Sequence, residues 1–276
     1  MTMWVSDYCK LCLIHSRCND LITLGRADQL PKLLRYLSDA VVSMGRSEAF
    51  AKSYTYIKSL LNSEDPYLRV KEELKKKAVR VAYDVKKHLL KSGWDLIKAL
   101  EFSAAANIID TSVLGYQPKE LNEVIWDLPG LKEFWGIPDK KVVLAVDNSG
   151  EFEIDLILAE ALVNNGYDVE LAVRGDSYEI DMTYEEVIRE VNDKPINVLR
   201  TPNGMPPSIY VNDGFLISKG IANAEAYVEY GSSVESIHLF RAKCNVLPEV
   251  LSVPKNSVVI VSGKTLINLS KKFNVD

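Results

Sequence analysis

The stretch KVVLAVDNSGEFEIDLIL, residues 141–158, decides the fold. Its opening run, 142–146, is apolar, rich in β-branched residues and short, and it stops abruptly at Asp147-Asn148-Ser149-Gly150. An amphipathic helical pattern follows at once. Strand, tight polar turn and helix start form the repeating unit of open parallel α/β sheets, whose ligands bind at the carboxyl ends of the strands. Asp147 and Asn148 stand at such an end, two oxygen-bearing side chains beside helix-start amides. Asn148 with Glu151 three residues on also spells a capping box, so Asn148 reads both as an N-cap and as a site residue.

The same texture continues downstream. Strand-like runs occupy 142–146, 169–173, 197–199, 215–217, 237–240 and 258–261, with helical patterns at 153–164, 184–191, 223–230 and 247–251. The alternation predicts an α/β fold, a largely parallel Rossmann-like sheet flanked by helices. Upstream, apolar residues recur at helical spacing through 7–24, from Pro31 to Val41, through 47–61, from Asp65-Pro66 to Leu90, and from Trp94 to Ala106. The expected organisation is an N-terminal helical subdomain (1–114), a Pro- and Gly-rich connector (115–140) and an α/β domain (141–276), forming one compact unit. Trp126 and Trp135 are expected to pack the connector onto the body. The helical subdomain is expected to close over the sheet edge, with Asn107 and Asp110 reaching the cleft; three residues apart, they share a helix face.

Composition narrows the function classes. The 276 residues are 47% hydrophobic and 26% charged with a net charge of −5, which argues against nucleic acid or an anionic membrane as partner. The lysines around 71–87 are interspersed with Glu72, Glu73 and Asp84 and read as a solvated helix face. No apolar run approaches the roughly 18 residues of a membrane helix, and no signal-peptide pattern opens the chain, so a cytoplasmic enzyme or binding protein is expected. Cys9-x-x-Cys12, with His15 and Cys18 nearby, suggests half a zinc or redox site. No second ligand pair completes it and no strand precedes it, so buried thiols on a packed helix face are expected.

The polar residues gather after the strands. Arg174-Gly-Asp176 and Ile180-Asp181-Met-Thr183-Tyr-Glu-Glu186 follow the second. Ser218-Lys219-Gly220-Ile-Ala-Asn223-Ala-Glu225 adjoins the fourth, and Arg241-Ala-Lys243-Cys244 the fifth. Thr183 and Glu186 make a capping box that leaves Asp181 outside the helix. Carboxylate and amide oxygens suit a hard divalent cation such as Mg²⁺ or Mn²⁺, and Lys-Gly at a helix start suits phosphate. Together they point to phosphoryl transfer or hydrolysis. No P-loop, no G-x-G-x-x-G and no G-x-S-x-G occurs, which disfavours those nucleotide, dinucleotide and α/β-hydrolase devices.

Taken in order, Cys9-x-x-Cys12, Asn107-x-x-Asp110, Asp147-Asn148-Ser149-Gly-Glu151, Arg174-Gly with Asp181, Lys219-Gly220-x-x-Asn223-x-Glu225 and Arg241-Ala-Lys243-Cys244 resemble the metal-dependent damage-control phosphatase family, once called domain of unknown function 89, in its prokaryotic branch. The resemblance implies a divalent cation (Mn²⁺, Mg²⁺, Co²⁺ or Ni²⁺) held by Asp147, Asn148 and Asp181. It implies a phosphate cradled by Lys219 and the Gly220 backbone, and a pocket lined by Asn223, Glu225 and Lys243. Ser149, Glu151, Arg174, Asn107 and Asp110 join the candidate binding set.

The activity implied is hydrolysis of a small phosphomonoester, a sugar phosphate or damaged phosphometabolite. Lys219 and Lys243 are expected to offset charge, and either a water or a carboxylate such as Asp147 to attack phosphorus, with water favoured because Asp147 is committed as a ligand. Ala106 replaces a frequent Gly, and Ile221-Ala222 a common Gln-Gly, which bears on pocket shape. The rival readings are a metal- or phosphometabolite-binding protein without turnover, a Rossmann-like methyltransferase, and a helical scaffold acting through residues 1–110.

Overall fold

Alternate residues of the central strand part company. Val142, Leu144 and Val146 enter one apolar core, while Val143 and Ala145 enter another. A period of two with both faces apolar marks a strand covered by helices on both sides. The structure, a computed structural model, describes residues 6–108 and 113–271.

Five long helices come first: α1 (Asp7–Thr23), α2 (Leu30–Ser43), α3 (Arg46–Leu61), α4 (Leu68–Lys91) and α5 (Leu96–Ala106). Ser6 caps α1 by accepting from the Tyr8 N–H, and Asp95 caps α5 by accepting from Lys98. Then follow α6 (Leu121–Val124), β1 (Pro129–Lys132), β2 (Lys141–Ala145), α7 (Phe152–Asn164), β3 (Asp168–Arg174), α8 (Tyr184–Val191), β4 (Asn197–Thr201), β5 (Phe215–Lys219), α9 (Gly220–Glu229), β6 (Ser236–Arg241), α10 (Leu247–Leu251), β7 (Val258–Ser262) and α11 (Gly263–Ser270).

The strand order is β1-β7-β6-β5-β2-β3-β4, and every neighbouring pair is parallel except β6 with β7. Helices α4, α5 and α7 cover one face through the largest apolar cluster. Residues of α9 and α11 pack on the other face. Helices α1 to α3 carry a core of their own, built on Leu13, Leu21, Leu33, Leu37, Ala49 and Ile57.

Four details differ from the sequence expectation. The connector contributes a strand, β1, paired with β7, because Pro129 and Gly130 are tolerated at a sheet edge. Trp135 is 91% exposed and packs nothing down, whereas Trp126 rests edge-on against Phe102 and His88. Lys71 is not solvated. It is buried and ion-paired with Asp65 and Glu186. Finally, the N-cap of α7 is Glu151, so Asn148 lies ahead of the helix and is not its cap.

Candidate active site

Strand β2 is flanked by β3 on one side and β5 on the other. The chain leaves β2 in one direction and later returns along its opposite edge, and ligand crevices open at such switch points. Asp147 follows β2, Arg174 ends β3 and Lys219 ends β5. The segment after β2 is fixed by backbone bonds to the loop after β3: Ser149 N–H donates to the Ile180 carbonyl (2.9 Å) and Met182 N–H to the Asp147 carbonyl (2.9 Å). This bridge sets Asn148 opposite Asp181. Asp147, Asn148 and Asp181, widely separated in part from one another in the chain, thus share one wall of a cavity of about 110 Å³.

Asp147 is held from three sides. Asn107, the C-cap of α5, donates from Nδ2 to Asp147 Oδ2 (3.0 Å) and to Glu151 Oε1 (2.8 Å), while its Oδ1 accepts from the Arg241 N–H (3.3 Å). Asn148 Nδ2 donates to the same Asp147 oxygen (3.2 Å). Gly220 closes the third side, since a Cβ there would lie 1.8 Å from Asp147 Oδ2. Asn107 therefore braces Asp147 from α5; Asp110 lies outside the described residues.

Arg174 reaches Asp181 Oδ2 from Nε (2.5 Å), donates to the Gly204 carbonyl and lies over the Tyr178 ring (4.3 Å). Its guanidinium is a cation on the cavity wall. Glu225 also lines the cavity, ion-paired with Arg46 at the start of α3. Burial raises the Glu225 carboxyl above its ordinary range; Arg46 opposes this and Glu229 adds to it.

Lys219 takes a different place from the one the resemblance implies. Its ammonium is fully buried, bonded to Glu151 Oε2 (3.0 Å), Asp155 Oδ1 (2.9 Å) and the Ser103 carbonyl, away from the cavity wall. Two carboxylates on one face of α7 and its N-cap capture it. Burial alone would lower the Lys219 pKa, but Asp155 and Glu151 outweigh it and the net shift is upward. Burial pushes Asp155 up to about 7 against the pull of Lys219. Asn223 is likewise an internal brace, donating to the Val146 (3.2 Å) and Lys219 (2.9 Å) carbonyls and accepting from the Ser208 N–H (2.9 Å). Lys243 is buried with its ammonium 5.7 Å from the Tyr116 ring centroid, and it too lies off the cavity wall.

Cys9, Cys12 and Cys244 line the cavity, and none of them is part of a disulfide. Burial, with Glu225 nearby, pushes the Cys9 thiol up to about 12, so it is neutral at physiological pH. Among the described residues no group of three or more His, Cys, Asp or Glu side chains is arranged to hold a metal ion. The candidate set is of another kind, two carboxylates and a carboxamide.

That set fits a hard divalent cation by its chemistry, because every side chain in it offers oxygen and none offers sulfur or imidazole. The Gly220 recess, which any Cβ would fill, keeps Asp147 at the wall, and the Ser149 hydroxyl beside it is buried without a hydrogen-bond partner. Residues missed in the sequence are Arg46, Tyr178 and Glu179, all on the wall. Only Glu179 carried a local hint, one residue before the Ile-Asp motif; Arg46 reaches the site through tertiary packing alone.

Comparison with known proteins gives the family and the fold. The model of the damage-control phosphatase ARMT1-like domain matches residues 6–259. The chain is 26% identical to damage-control phosphatase PH1575 of Pyrococcus horikoshii, covering 95% of this chain and 99% of that protein. It is 24% identical to the uncharacterized protein MJ0202 of Methanocaldococcus jannaschii over 75% of this chain and 77% of the other. The crystal structure of the DUF89 family protein from P. horikoshii has the same fold, with a TM-score of 0.76 at 21% identity, covering 95% of this chain and 99% of that one. With the family model matching residues 6–259, nearly the whole chain, this protein is a member of the damage-control phosphatase ARMT1-like family.

Proposed function

We propose that the protein hydrolyses small phosphomonoesters with the help of a divalent cation held by Asp147, Asn148 and Asp181. The observation that carries this reading is the meeting of those oxygens with the start of α9 on one cavity wall. Ile221 and Ala222, in the first turn of α9, line the cavity. Amides in a first helical turn have no intrahelical acceptor and point outward, an arrangement suited to a phosphoryl group. A divalent cation held by these residues would supply Lewis acidity toward the phosphoryl group and toward water.

The chain does the rest. Asn107 and Gly220 hold Asp147 in place, so its carboxylate does not reorganise during reaction. Arg174, the guanidinium beside Asp181, offsets negative charge on the phosphoryl oxygens. Lys219 supports the site from beneath by neutralising Glu151, the carboxylate to which Asn107 and Asn148 donate. Cys9, Cys12 and Phe50 supply apolar surface, so the organic part of the ester is received by the helices of the N-terminal region.

The test is phosphate release from a panel of sugar phosphates by EDTA-treated protein, with Mg²⁺, Mn²⁺, Co²⁺ or Ni²⁺ restored singly. Cation-dependent release is the expected result, and the panel ranks the substrates. Cation binding with no release from any of them would leave a binding protein.

A further inference from the structure

Helix α1 carries a charged residue where its pattern calls for an apolar one. Leu13, Arg17 and Leu21, four apart, share a face, and all three are fully buried. Arg17 pairs with Asp20 on its own helix and with Glu179 in the loop after β3, and its Nη2 donates to the Tyr178 hydroxyl (2.9 Å). Tyr67, from the turn before α4, donates to Asp20 (2.7 Å). The Tyr178 ring meets the Arg17 guanidinium at 5.5 Å and the Arg174 guanidinium at 4.3 Å, and Arg174 in turn grips Asp181. A continuous path of contacts therefore runs from α1 through Tyr178 and Arg174 to Asp181.

The path fixes a strained piece of chain. Glu179 is buried with φ +43°, a left-handed conformation unfavourable for a residue with a Cβ. Two residues later Asp181 is anchored by its N–H to the Tyr178 carbonyl (2.9 Å), and Lys71 of α4 donates to the Asp181 carbonyl (3.3 Å). Apolar side chains in place of Arg17, Asp20 and Glu179 together would fill this space without the desolvation of a guanidinium and two carboxylates. What the charged arrangement adds is a fixed position for the loop that bears Asp181.

We infer that Arg17 is a positioning residue for the cation site: it holds Tyr178 and Glu179 so that Asp181 meets Asp147 and Asn148 at the cavity wall. This rests on the cation reading above. It also gives the helical region a role in building the site, beyond covering it.

The experiment is calorimetric titration of Mn²⁺ into the metal-stripped wild type and into Arg17→Met, Arg17→Lys and Tyr178→Phe, at a temperature where circular dichroism shows each folded. The expected result is Mn²⁺ affinity weakened about tenfold or more in Arg17→Met, recovered in part in Arg17→Lys, and weakened about threefold in Tyr178→Phe. Wild-type affinity in a folded Arg17→Met overturns the inference. If Arg17→Met does not fold, Tyr178→Phe decides, since it deletes only the hydroxyl that Arg17 addresses; unchanged affinity there overturns it equally. A wild type that binds no Mn²⁺ overturns the cation reading and this inference together, whereas a binding wild type with unaltered variants overturns this inference alone.

Discussion

Gly220 and Asp147 are in such close apposition that a methyl group on the first would lie 1.8 Å from an oxygen of the second. Gly220 also has φ +78°, which side-chain-bearing residues rarely adopt. The first residue of α9 thus determines where the carboxylate after β2 can be. Gly220→Ala must move Asp147 or the start of α9. It is expected to lower cation-dependent phosphatase activity roughly a hundredfold, the scale lost when a 1 Å misplacement disturbs a reacting centre. Steady-state assays beside a circular dichroism spectrum check it; near-normal activity would show that Asp147 need not sit there.

Lys219 sits among Glu151, Asp155 and the Ser103 carbonyl with no exposed surface. Lys219→Met leaves two buried carboxylates without their cation, a loss on the order of 3–5 kcal/mol. Urea unfolding should show that loss directly. A variant of normal stability that had lost only phosphate affinity would restore Lys219 to the phosphate.

His238, fully buried in β6, has its pKa pushed down to about 3 by burial. Below its ordinary value of 6.5 the unfolded chain takes up a proton that the folded chain refuses, so this residue makes stability fall as pH drops from 6.5 toward 3. Asp155 acts oppositely, because its raised pKa makes stability fall as pH rises from 3.8 toward 7. A comparison with His238→Gln cancels the Asp155 contribution. Between pH 6 and 4 the wild type should lose up to about 1.4 kcal/mol per pH unit more than the variant. Parallel urea-unfolding curves at several pH values check it, and equal slopes would contradict it.

The Cys9 thiol, pushed up to about 12, is almost free of thiolate at pH 8. Iodoacetamide should label Cys9 roughly a hundredfold more slowly in the folded protein than in urea, as read by mass spectrometry of its peptide. Rapid labelling of the folded protein would point to a reactive thiol and reopen the redox reading of Cys9-x-x-Cys12.

The six strands expected from 141 onward all exist, because their apolar runs are bounded by turn residues and their period is unambiguous. β1 was hidden by its composition, since Pro-Gly-Leu-Lys reads as a loop until β7 supplies the other half of its ladder. The antiparallel pairing of β6 with β7 was illegible for a related reason: strand direction depends on where the connection crosses the sheet. At the site, the Asp147-Asn148 turn and the outlying Asp181 could be read locally. Lys219 could not, because a lysine beside glycine looks the same whether it meets phosphate or carboxylates. The hint lay on α7 and its cap, where Glu151 and Asp155 stand four apart on an otherwise apolar face. Arg17 left a similar trace, a charge at an apolar position with Asp20 one turn on.

The most direct test of the central claim is phosphate release from para-nitrophenyl phosphate by metal-stripped wild type and Asp147→Ala, each titrated with Mn²⁺. The account predicts turnover that appears with the cation in the wild type, is abolished by EDTA, and is absent from a folded Asp147→Ala at every Mn²⁺ concentration. Full activity in Asp147→Ala, or wild-type turnover indifferent to EDTA, would contradict it.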